Sequence, residues 1–126
     1  MKPYVPDRND LVWLDFEPRQ NTASGKEIGK YQPALVLSSR AHNRKTGLLI
    51  CCPVSSSVRG GVTEVPVSNL DVPSVVASNL IQTLSWKDRS ARRIAAAEDG
   101  VLEQVLLRII PLIGADRVIE RYLRTD

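Results

Sequence analysis

Residues 25–38 read Gly-Lys-Glu-Ile-Gly-Lys-Tyr-Gln-Pro-Ala-Leu-Val-Leu-Ser. The first half is polar and bracketed by glycine, and the second is apolar. Pro33 opens Ala34–Ser38, a short apolar run that predicts a buried strand. The polar stretch behind it, residues 18–32, predicts one long loop. A loop of that length without periodic structure is uncommon in a small domain and is often functional.

The same reading extends in both directions. Asp10–Phe16 alternates in part and predicts a strand, ended by Pro18. His42–Gly47 predicts a turn, and Leu48–Val54 a second buried strand. Ser55–Gly61 predicts a loop. Val62–Val67 alternates as a strand whose Pro66 points to an edge or a strand end. Ser74–Leu84 predicts one or two further strands, and Ser90–Ile94 another. From Glu98 the period becomes helical. Val101, Leu102, Val105, Leu106, Ile109, Ile110 and Ile113 fall on one broad stripe. Glu98 and Asp99 suit the positive end of that helix. Pro111 should kink or end it, Gly114 should cap it, and Asp116 should N-cap a short final helix, Arg117–Arg124. The expected fold is mainly β: a small barrel-like sheet closed by one helix.

Composition sets the outer limits. The 126 residues fit one domain. An apolar fraction of 43% and a charged fraction of 25% are those of an ordinary globular chain. Apolar runs fall far short of the roughly 20 residues needed to span a bilayer. The N-terminus MKPYVPDRND lacks the apolar core of a secretory signal, so a cytoplasmic protein is expected. Cys51 and Cys52 are neighbours and point to opposite faces of a strand, so a bond between them would be strained. One is expected in the core and the other half-exposed. His42 is the sole histidine and there is no Cys-x-x-Cys pair, so neither a zinc site nor any other metal or cofactor is expected. Asp10, Asp15 and Glu17 are expected to face water. The net charge of +3 permits an acidic partner without demanding one.

The 25–38 stretch resembles the Gly-x-Glu-x-x-x-x-Arg-Pro-Ala-Val-Val-Leu-Ser loop of the MazF/PemK toxins. Tyr4-Val-Pro-Asp7 followed by Asp10–Phe16 is similar to that family's opening. Asn43-Arg-Lys-Thr-Gly47 is similar to its turn, and Pro53-Val-Ser-Ser56 to its Pro-x-Thr-Thr element. Ser85-Trp-Lys-Asp-Arg89 is similar to its late tryptophan segment, and Leu112-Ile-Gly114 to its end. The resemblance implies a family domain over residues 1–114, with 115–126 as a C-terminal helical extension. It further implies an SH3-like small barrel that works as a homodimer. The implied activity is a metal-independent endoribonuclease toxin, which cuts single-stranded RNA and is restrained by a MazE-like antitoxin. In that chemistry the RNA's own 2′-hydroxyl attacks the adjacent phosphate, leaving 2′,3′-cyclic phosphate and 5′-hydroxyl ends.

By the same resemblance Glu27 takes the proton or orders the loop, and Ser55 offers a hydroxyl to a phosphate oxygen. Ser56 is a secondary candidate. Lys26, Lys30, Arg59, Lys87 and Arg89 are candidates for an RNA-backbone groove. Gln32 departs from the pattern, for it stands where the family carries arginine. Glutamine keeps an N–H donor but has no charge and is a poor acid. The glutamine is either natural to a weak or non-cleaving relative, or a change that silences a toxic nuclease; the intact surroundings favour the second. Asn79, Leu80 and Gln82 replace an Asp-Gln pair and a following basic residue, which implies an altered RNA preference. The alternative functions are a CcdB-like toxin that binds DNA gyrase on the same barrel, and a relative that only binds antitoxin. Trp13 and Trp86 are expected to pack in the core or an interface.

Overall fold

Alternation along three strands builds the fold. The structure, a computed structural model, describes residues 3–16 and 31–123. In β1 (Asp10–Asp15), β2 (Tyr31–Val36) and β3 (Leu48–Ser55), successive side chains point to opposite faces. Leu11, Leu35, Cys52 and Val54 face one side. Val12, Leu14, Ala34, Val36, Leu49 and Cys51 face the other. Both sides are covered, which is why these strands read as apolar runs. Each fully buried aliphatic side chain contributes about 1.5–3 kcal/mol.

The strands β4 (Glu64–Val67), β5 (Ser74–Ala77), β6 (Gln82–Ser85) and β7 (Arg92–Ala96) complete an antiparallel sheet of order β4-β5-β3-β2-β1-β7. It curls into a half-barrel. Strand β3 is its pivot: β2 lies along one edge, while β6 takes Leu48–Cys51 and β5 takes Val54–Ser55 on the other. Edge strand β4 carries the exposed Pro66, as expected of a residue without an amide hydrogen.

Among the described residues there are three helices rather than the two expected. Residues 42–46 of the expected turn belong to α1 (Arg40–Thr46). Its Ser39 hydroxyl accepts from the His42 amide, and Gly47 ends it with φ of 73°. Six polar residues and one alanine cannot show helical periodicity, so only the two caps betray this helix. Helix α2 (Val101–Leu112) buries Val101, Val105 and Ile109 against the Leu11 face of the sheet. It outlasts Pro111 by one residue. Gly114, at φ of 77°, separates it from α3 (Ala115–Leu123). Asp116 lies in the first turn of α3 instead of capping it, and Val118, Ile119, Tyr122 and Leu123 are exposed. No helix of the described residues is long and apolar enough to cross a membrane.

Other expectations are corrected. Strand β2 starts at Tyr31, so Tyr31 and Gln32 belong to the sheet rather than to the loop. Both cysteines are fully buried, because each sheet face has its own core. Burial pushes the Cys51 thiol up to about 12 and the Cys52 thiol to about 11. Asp10 is buried rather than solvated. Its carboxylate accepts from the Tyr4 hydroxyl at 2.6 Å and the Asp7 amide at 3.0 Å, and it pairs with Arg93 at 3.4 Å. Burial first, then that bond to Asp10, raises the Tyr4 hydroxyl well above its ordinary value. Trp86 is in the core, and its indole N–H donates to the Asn43 carbonyl at 2.9 Å.

Candidate nucleic-acid groove

The sheet register, not the linear sequence, assembles the candidate site. Ala34 pairs with Pro53, so the same register carried two residues further sets Gln32 opposite Ser55. Both line a groove of about 670 Å³, together with Arg59, Thr63 and Glu64 from the β3–β4 connection. Ala77, Asn79, Leu80 and Gln82 close it from the β5–β6 side, and Phe16 stands at the point where the chain leaves β1.

Gln32 is half-buried, and its side-chain amide donates to the Val54 carbonyl only at the long limit of 3.5 Å. That donor is barely committed. The Ser55 hydroxyl oxygen accepts from the Ser57 amide at 3.0 Å. With its oxygen held this way, its own proton stays free to donate into the groove. The Glu64 carboxylate accepts from the Arg59 amide at 3.1 and 3.2 Å and from the Gly60 amide at 2.8 Å. Gly60 has φ of 75°, a conformation glycine adopts without the penalty of a Cβ. Thr63 donates to the Asn79 side-chain oxygen at 3.2 Å and ties the two rims together.

The other candidates divide. Ser56 is exposed and does not line the groove. The Lys87 ammonium sits 5.4 Å from the centre of the Trp86 ring. Arg89 is half-buried, and its guanidinium donates to the Asp15 and Phe16 carbonyls at 3.0 and 3.2 Å. It therefore fixes the end of β1. Lys26, Glu27 and Lys30 lie outside the described residues. Among the described residues, no group of three or more His, Cys, Asp or Glu could hold a metal ion.

Sequence reading passed over Thr63 and Glu64. A carboxylate three residues beyond a Gly-Gly pair was the available signal, because such loops are closed by a side-chain acceptor. What the groove can do chemically follows from its donors. It offers three side-chain amides, three hydroxyls and one guanidinium around a space large enough for a nucleotide phosphate.

Comparison with known proteins agrees with this architecture. Residues 7–113 match the family of PemK-like, MazF-like toxins of type II toxin–antitoxin systems. The endoribonuclease toxin MazF of Escherichia coli K12 is 32% identical over 111 residues, covering 88% of this chain and 96% of that protein. The endoribonuclease toxin ChpB of the same organism is 36% identical over 109 residues, covering 82% and 90%. The crystal structure of MazF from Deinococcus radiodurans superposes with a TM-score of 0.77 at 41% identity, over 89% of this chain and 99% of that one. A MazE–MazF structure from the same organism gives 0.78 at 41% identity, over 89% and 98%.

Proposed function

The chain belongs to the PemK/MazF toxin family, and from that premise we propose that it is a metal-independent endoribonuclease acting on single-stranded RNA in the groove between Gln32 and Ser55. The observation that carries this reading is the pairing of a nearly free amide donor with a free hydroxyl proton across adjacent strands.

The RNA brings its own nucleophile, so the protein must orient an unstacked phosphate, offset its developing charge and move protons. The Ser55 hydroxyl donates to a non-bridging phosphate oxygen. The Gln32 amide donates to the same group but brings no charge and no usable proton for the leaving oxygen. Glu27, in the segment that enters β2, takes the 2′-hydroxyl proton. The 2′-oxygen bonds to phosphorus as the P–O5′ bond breaks, and the departing 5′-oxygen takes its proton from water, leaving a 2′,3′-cyclic phosphate and a 5′-hydroxyl. With glutamine at position 32, turnover is slow, because one missing preorganised interaction costs about 10²–10³ in rate. Asn79, Leu80 and Gln82 face the bases and give this chain its own sequence preference.

As a family member the chain is expected to act in the cytoplasm as a homodimer held in check by a MazE-like antitoxin. The antitoxin's acidic tail would lie across the groove and its Arg59. Residues 115–126 are read as an extension, since the family match ends at residue 113. The test is incubation with a long single-stranded RNA in EDTA, followed by end-group analysis. Cyclic-phosphate ends support the reading. Absence of cuts from both this chain and its Gln32→Arg variant would leave a binding toxin or an antitoxin-binding relative instead.

A further inference from the structure

Of the side chains that line the groove, two are charged, Arg59 and Glu64. They form no ion pair with each other, for both Glu64 carboxylate oxygens are turned to the backbone amides of Arg59 and Gly60. The Arg59 guanidinium forms no ion pair or hydrogen bond with any other described residue. The loop thus brings to the groove an arginine without an ion pair among the described residues, and the same groove is lined by glutamine at position 32.

We propose that Arg59 supplies to the scissile phosphate the positive charge that position 32 lacks, and that Glu64 is the positioning residue that holds it there. This rests on the nuclease reading above. A guanidinium fits phosphate oxygens with two parallel N–H donors, whereas a primary amide offers a neutral one. A catalytic charge is effective only when it is fixed before the reaction begins. Gly60 in the left-handed region makes the bend, and the Glu64 carboxylate closes it with three contacts of 2.8–3.2 Å. That closure fixes the backbone on which Arg59 stands. It also turns both carboxylate oxygens to the backbone, so neither forms an ion pair with the Arg59 guanidinium.

The experiment is a double-mutant cycle on the full chain, with cleavage of a fluorescent single-stranded RNA in EDTA as the readout. Arg59→Ala keeps the backbone amide and hence the Glu64 closure, so the fold is retained. In the Gln32 background it should lower the cleavage rate by about 10²–10³. In the Gln32→Arg background its cost should shrink at least tenfold, because the new arginine does the same work. Equal losses in both backgrounds would overturn the proposal. So would a Gln32→Arg variant that cuts while the unaltered chain does not. If neither cuts, the nuclease reading itself falls, which is a different result. RNA binding gives a second readout: Arg59→Ala should reduce the slope of log affinity against log salt by about 0.7, and an unchanged slope would contradict a phosphate contact.

Glu64 has its own test. Glu64→Ala should lower kcat about tenfold with KM nearly unchanged. Glu64→Gln, which keeps one acceptor oxygen for the amides, should restore most of that loss. In the Arg59→Ala background Glu64→Ala should cost nothing further. Additive losses would show that Glu64 does not act through Arg59.

Discussion

The two ends of strand β3 carry polar clusters of opposite character. At the first end, Asn43 is fully buried and both hydrogens of its amide nitrogen are committed, to the Pro6 carbonyl at 2.8 Å and the Ser38 carbonyl at 3.2 Å. Its side-chain oxygen accepts the Ser38 hydroxyl at 2.6 Å, and that hydroxyl accepts from the Ile50 amide at 2.8 Å. At the far end, around Ser55, the donors are left over. Gln32 holds a 3.5 Å contact, Ser55 keeps its proton, and Arg59 has no partner among the described residues. Saturated polar groups in a dry interior hold a fold together. Unsaturated ones around an open groove are available to a ligand.

The largest effect should come from breaking the saturated end. Asn43→Ala removes the partner of the Ser38 hydroxyl and leaves the buried Pro6 and Ser38 carbonyls short of donors. Denaturant unfolding should show a loss of about 3 kcal/mol or more. Any residual folded fraction should retain its RNA affinity.

At the unsaturated end the signs reverse. Ser55→Ala should lower RNA cleavage about 10²-fold, while unfolding stability should move by no more than about 0.5 kcal/mol. A stability loss as large as that of Asn43→Ala would show that the groove hydroxyl is structural.

A third effect separates the two sheet faces from the solvent and is smaller. The Cys51 thiol is raised from its ordinary 9.0 to about 12, by burial first and by neighbouring Cys52 second. Its folded-state value lies above the unfolded one, so the unfolded chain loses this proton first. The stabilising contribution is complete below pH 9 and declines as pH rises through about 12. Stability measured between pH 8 and 11 should fall, and Cys51→Ala should flatten the fall. For the same reason neither cysteine of the folded protein should react with iodoacetamide at pH 8.

Much of this was legible in the residues. Partial alternation exposed β1, an unbroken apolar run exposed β3, and a helical stripe exposed α2, because burial leaves a pattern behind. Pro66 marked its edge strand. Helix α1 left no period, being too short and too polar, and the full burial of both cysteines required knowing that two cores flank one sheet. The candidate site was legible only where it is local. Gln32 and Ser55 were found through their segments. Glu64 and Thr63 were missed, because the β3–β5 and β4–β5 pairings bring them to the groove from outside the recognisable motifs. Lys87 and Arg89 were nominated for their charge, but charge alone does not reveal that one lies over Trp86 and the other holds the end of β1.

The central claim is that position 32 lies at the reacting phosphate, and the rate ratio of Gln32→Arg to the unaltered chain tests it most directly. Both are assayed on one single-stranded RNA in EDTA. The rate should rise at least tenfold, since a charged donor replaces a neutral one at a preorganised site. A variant as inert as the starting protein, while still folded, would contradict the placement of the site.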